Sequence, residues 1–90
     1  MSNVIKLSEA RLGDRGVITR VGAVDQPAHD GELERRLLEL GFVEGARIEL
    51  IHQGIVGRDP IALRVDDMRV ALRRREAACL TVELYAEAAE

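Results

Sequence analysis

Few of the ninety side chains can do chemistry, and their spacing limits what that chemistry could be. In "HDGE", His29, Asp30 and Glu32 offer an imidazole and two carboxylates, donors that a borderline divalent cation accepts. Their spacing matches no defined site, and the same run reads as a polar loop leading into a helix N-cap. His52 ends an alternating segment on the face shared by Ile48 and Leu50, where a half-buried imidazole bonded to backbone is expected. Cys79 is the single cysteine, so no internal disulfide can form. Without a second thiol, or a histidine at fixed spacing, it reads as a small buried filler, with thiolate ligation as the alternative. His29, His52 and Cys79 are thus the weak metal candidates; the inventory calls for no cofactor and leaves room only for loosely held divalent metal.

Catalysis has still less to draw on. Lys6 is the only lysine and no GxxxxGK[ST] phosphate loop exists, so nucleotide binding of the P-loop kind is not expected. Asp66 and Asp67 could in principle share acid–base work, but adjacent turn residues point apart into water. No enzyme is expected. The arginines Arg69, Arg73, Arg74 and Arg75 form the remaining charged group; their forks suit carboxylates or phosphates on a partner, while a solvated turn balanced by Glu76 is the plainer reading. A net charge of -3 and only two aromatic residues, Phe42 and Tyr85, argue against nucleic acid, although "GDRG" has the GxxG spacing of some nucleic-acid loops. The same shortage of aromatics excludes a groove for proline-rich peptides. There is no sustained apolar leader and no run of about eighteen apolar residues, so a cytoplasmic chain that does not insert directly into the membrane is expected.

The elements that must position these groups follow from periodicity. "NVIKL" reads as an edge strand, and Ser8 is expected to cap a single helical turn through Leu12. "GVITRV" alternates, with Val17, Thr19 and Val21 on one face and Ile18 and Arg20 on the other. "GAVDQPAHDG", from Gly22 to Gly31, has the composition of a surface loop. A helix over about 32–40 follows, with Asp30 as N-cap and Leu33, Leu37 and Leu40 in one stripe with Leu38 beside it. Gly41 stands where a left-handed residue is needed, and Phe42 can fold back onto Leu37 in a Schellman closure. After Gly45 the period becomes two in "RIELIH", "PIALRV", "MRVAL" and "LTVEL", with hairpin links at "QGIVGRD" and Asp66-Asp67 and a short turn at "RRREAA". The pattern predicts a mainly β protein: a small closed or nearly closed barrel of five to six short strands, its helix packed across one opening. One domain over 1–84 and a flexible tail over 85–90 are expected.

"LERRLLELGFVEG", "GRDPIALRV" and "RVALRRREAACLTV", taken in order over about Leu7 to Val82, resemble the FeoA family, small proteins linked to bacterial ferrous iron uptake. The turn at Asp66-Asp67, where the family often has glycine, and the long loop around Pro27 depart from the pattern. The resemblance implies an SH3-like β-barrel working beside FeoB, the membrane GTPase-linked iron(II) transporter. The same module also ends some metal-dependent repressors, and no helix-turn-helix precedes the barrel here, which favours the accessory role.

On this reading the expected contact surface is the corner between helix and barrel: Arg35, Arg36 and Glu39 on the helix face, with Gly41, Phe42 and Gly45 below it. Arg73, Arg74 and Arg75 are a second basic contact. The partner is the cytoplasmic region of an FeoB-like transporter, which would recruit the protein to the inner membrane. The alternative is a cytosolic Fe2+ sensor or carrier using the weak metal candidates, and self-association through exposed strand edges is a third possibility.

Overall fold

The computed structural model describes residues 3–22 and 31–85. Six strands, β1 (Asn3–Lys6), β2 (Arg15–Val21), β3 (Arg47–Gln53), β4 (Ile61–Val65), β5 (Met68–Leu72) and β6 (Leu80–Leu84), form one antiparallel sheet in the order β1-β6-β2-β3-β4-β5. Helix α1 (Gly31–Glu39) lies between β2 and β3, and the short helix α2 (Arg74–Ala77) lies between β5 and β6. The sheet curls around a single apolar core, the small barrel expected from the alternating runs. Among the described residues no polar or charged side chain is buried, so aliphatic packing around Phe42 supplies the cohesion.

The alternating segments become strands because each supplies one apolar face. Ile61, Leu63 and Val65 are all buried, as are Leu80 and Val82, with Leu84 half-buried behind them. Two strands depart from strict alternation. A register shift in β2 between Ile18 and Arg20 interrupts the expected faces, so Ile18 is core while Val21, not Thr19, packs against it. A second shift in β3 between Leu50 and His52 leaves Ile51 as the additional residue. That bulge turns His52 out to solvent and overturns its expected half-buried position.

The first turn also differs from expectation. It is a 3-10 turn over Leu7–Glu9 whose N-cap is Lys6, and no side chain caps it. Ser8 lies inside the turn, because the fully buried Leu7 must open it to reach the core.

The helix-to-strand corner forms as its residues dictate. Leu37 is fully buried, and Leu33 and Leu40 pack against the core beside it. Gly41 adopts φ +106°, the Phe42 N–H donates to the Leu37 carbonyl at 3.0 Å and the Gly41 N–H donates to Leu38 at 3.1 Å. These are the two bonds of a Schellman motif, and the fully buried Phe42 and Leu37 supply its apolar contact. The chain is then fastened to β2: Gly45 donates to the Ile18 carbonyl at 2.7 Å, and Ile18 donates to Ala46 at 2.9 Å.

The two end strands, β1 and β5, share no ladder among the described residues, so the barrel has a seam there. Arg74 closes it. Its Nη1 donates to the carbonyls of Ser8 and Ala10 at 2.9 and 3.0 Å, just past β1. Its Nη2 donates to Gln53 Oε1 at 3.1 Å and its Nε to the Arg58 carbonyl at 2.8 Å, both on the β3–β4 side. The Arg74 backbone N–H adds a bond to Asp59 Oδ1 at 2.9 Å. A planar guanidinium can serve acceptors in several directions at once, which an ammonium on the same stem cannot match in geometry.

Two stability predictions follow from these closures. Gly41→Val should cost about 2 kcal/mol or more, because a β-branched residue is strained at positive φ. The nearest atom to an added Cβ is Val65 Cγ1 at 3.7 Å, so the penalty is conformational and not a clash. A melting temperature equal to the parent's would refute the closure. Arg74→Ala should cost about 2–4 kcal/mol, as partly buried carbonyls lose charge-assisted donors. Arg74→Lys should recover less than half of it, whereas Arg73→Ala and Arg75→Ala stay within about 0.5 kcal/mol; equal losses at all three positions in denaturant unfolding would refute a special role for Arg74.

Candidate docking site

The expected contact residues separate into two groups in the structure. Arg35, Glu39 and Gly45 are exposed and Gly41 is half-buried, all on the corner. Phe42 has no exposed surface and belongs wholly to the core, because the Schellman closure needs its ring inside; it cannot be a contact. Arg74 is likewise withdrawn, its guanidinium committed to the seam. Arg73 and Arg75 remain exposed on either side of it.

Arg36 is exposed but committed. Its Nη2 meets Glu76 Oε2 at 2.6 Å, and the other Glu76 oxygen accepts the Arg73 N–H at 2.9 Å. One carboxylate thus caps the first turn of α2 and ties it to α1. Arg36 keeps 59% of its side chain exposed, so the ion pair is worth at most about 1 kcal/mol and acts mainly to fix orientation.

Two residues complete the corner that the leucine stripe did not single out. Leu38 and Val43 remain 41% and 42% exposed, on either side of the Gly41 turn. Arg35, Glu39 and Glu44, exposed on the same helix-to-strand segment, supply both signs of charge. The segment's backbone is held by the Schellman bonds and by Ala46 N–H donating to the Val43 carbonyl at 3.0 Å. The sequence signal was available: Leu38 lies off the stripe of Leu33, Leu37 and Leu40, and Val43 follows the residue that closes the helix.

The metal candidates are not assembled. His29 and Asp30 lie outside the described residues, as does most of the loop around Pro27. His52 is on the outer surface of β3, whereas Cys79 is buried where α2 meets β6. Among the described residues no group of three or more His, Cys, Asp or Glu side chains could hold a metal ion.

The acid pair sits at the tip of the β4–β5 hairpin. Asp66 adopts φ +54°, and its Oδ1 accepts the Arg47 N–H at 3.1 Å, which folds the turn against β3. Asp66 and Asp67 border a cleft of about 390 Å³ with Arg15, Arg47, Glu49 and Arg64. Glu49 is paired with Arg64 at 3.1 Å, and Asp66 serves the turn. Glu49 and Asp66 therefore have structural partners. Tyr85, the first residue of the expected tail, continues the ladder by donating its N–H to the Arg15 carbonyl at 3.0 Å; residues 86–90 lie outside the described part.

Comparison with known proteins gives this geometry a family. The FeoA domain model matches residues 5–84. A fusion of Fe(2+) transport protein A with the Fe(2+) transporter FeoB from Porphyromonas gingivalis is 40% identical over 80 residues, covering 89% of this chain. The chain spans only 9% of the length of that longer protein. FeoA of Stenotrophomonas maltophilia, a procaryotic SH3 domain protein whose structure was determined with zinc, superposes with a TM-score of 0.70 at 36% identity, over 91% of this chain and 88% of that one. The solution structure of FeoA from Chlorobium tepidum gives 0.72 at 39% identity, over 91% and 71% of the two chains. With the barrel, the α1 corner and the seam all lying inside the matched span, the chain belongs to the FeoA family, which is involved in ferrous iron transport.

Proposed function

We propose that the protein is a non-catalytic accessory of ferrous iron uptake that docks its α1 corner on the cytoplasmic region of an FeoB-like transporter. The observation that carries this reading is the fusion relative, in which an equivalent of this domain and the transporter share one polypeptide. A covalent tether raises the effective concentration of two partners, and separate chains that act together need an interface to replace it. The corner suits that need. Leu38 and Val43 offer apolar area, Arg35, Glu39 and Glu44 offer both signs of charge, and the closed backbone below them loses little freedom on binding. Among the described residues no helix is long and apolar enough to cross a membrane. Iron(II) is cargo in this scheme and not a resident cofactor.

The replacement of Leu38 and Val43 together by Asp tests the surface. Both are substantially exposed, so the double variant should melt close to the parent while its affinity for the soluble cytoplasmic domain of the transporter falls at least about tenfold. Arg36→Ala should show the opposite pattern, with slightly lower stability and affinity changed less than about threefold. Calorimetric titration reads both. Unchanged binding by the Asp variant would place the interface elsewhere.

A further inference from the structure

The β3–β4 connection, residues 54–60, leaves two large aliphatic side chains in water. Ile55 is 99% exposed and Val56 is 85% exposed, the two most exposed large apolar residues described. Neither contributes to the core, and a hairpin link has no local need for them; the turn itself is made by Gly57 and Arg58, both at positive φ. The base of the connection is closely fixed. Gly54 donates to the Pro60 carbonyl at 2.9 Å, and a Cβ on Gly54 would collide with the Asp59 carbonyl, so the two arms meet there. Arg74 holds the far arm through the Arg58 carbonyl and the Asp59 carboxylate and the near arm through Gln53. The tip is therefore an apolar pair presented from a clamped stem.

The charge beside that tip is positive, although the whole chain carries -3. Arg58, Arg73 and Arg75 are exposed next to the clamp. The acids nearby have internal work: Asp59 accepts the Arg74 N–H, and Glu76 accepts the Arg73 N–H and pairs with Arg36. On the adjoining 3-10 turn Glu9 is exposed, and Arg11, also exposed, follows two residues later. Adjacent aliphatics without an aromatic anchor, flanked by glycines and bordered by guanidinium groups, fit a partner that supplies an apolar layer beneath a negative one and demands no shape match. An anionic bilayer surface has that composition.

We propose that the Ile55–Val56 tip is a membrane-interface contact, dipping into the headgroup layer of an anionic bilayer while Arg58, Arg73 and Arg75 face lipid phosphates. The contact is shallow and reversible, since two aliphatic side chains fall far short of a stable anchor. It departs from the expectation that no part of the chain enters the membrane, and it is independent of the α1 corner. Beside a membrane transporter it would act as a second attachment that strengthens the first.

The full chain is tested alone, without transporter, by sedimentation with vesicles of phosphatidylcholine containing or lacking phosphatidylglycerol. The parent should bind the anionic vesicles at low salt, several-fold less at high salt, and least without phosphatidylglycerol. Ile55→Asp with Val56→Asp should reduce partitioning about tenfold or more at unchanged melting temperature, because both side chains lie in solvent. Arg73→Gln with Arg75→Gln should weaken only the anionic arm. The chain has no tryptophan, so Ile55→Trp reports its own site: its emission should shift to the blue on anionic vesicles and be quenched by brominated acyl chains. Absence of parent binding to anionic vesicles would overturn the proposal. So would retention of vesicle binding by the Asp variant, or its loss of affinity for the transporter's soluble domain with vesicle binding intact, which would make the tip a protein contact.

Discussion

A six-stranded sheet that curls without closing its last ladder leaves a seam between β1 and β5, and one guanidinium beside it binds the carbonyls of Ser8 and Ala10 just past β1 together with Gln53 and the β3–β4 connection. Arg74 is short of both barrel ends in sequence, yet it reaches carbonyls 64 and 66 residues earlier and partners 16 and 21 residues earlier. Each bond satisfies a group that water would otherwise have to reach, and the positive charge makes each stronger than an ordinary amide bond. The consequence is mechanical. The 3-10 turn after β1, the β3–β4 connection and α2 become one body, and Glu76 extends that body to α1 through Arg36.

The outward-facing features gain their definition from this closure. Leu38 and Val43 stand on a corner whose bonds run to β2, while Ile55 and Val56 stand on a stem held by Arg74. A surface attached to a fixed framework meets a partner without first being ordered, so modest apolar areas can count toward affinity. The protein needs no reactive group to act in this way. Some of its charged groups serve the fold, as Glu76, Asp59 and Arg74 do, while Arg35, Glu39, Arg73 and Arg75 stay exposed.

The helix closure was legible in the sequence because every part of it is local: a leucine stripe, one glycine and one phenylalanine within ten residues, Leu33 to Phe42. The strands were legible for the same reason, as runs of period two. The bulges were not, since an extra residue leaves no compositional mark, and the one in β3 was enough to turn His52 from the core to solvent. Arg74 was grouped with Arg73 and Arg75 because its acceptors are mostly main-chain carbonyls distant in sequence, which no side-chain pattern announces. Phe42 was read correctly as a closure residue and also, inconsistently, as a contact; a side chain fully used in one role has no area left for the other. The exposed pair at Ile55 and Val56 sits between Gly54 and Gly57, and nothing in a glycine-bounded hairpin link marks which of its apolar side chains the fold leaves in solvent.

Docking through the α1 corner is the contact proposed between this FeoA-family protein and the transporter. A two-dimensional amide NMR titration with the transporter's soluble cytoplasmic domain, and separately with iron(II) under anaerobic conditions, tests it most directly. Docking by the corner should give shifts grouped over Arg35 to Gly45 with the transporter domain, leaving the amides of β4 unmoved. Metal-driven shifts centred on His29, His52 or Cys79, with no response to the transporter domain, would contradict it and make this a metal-binding protein.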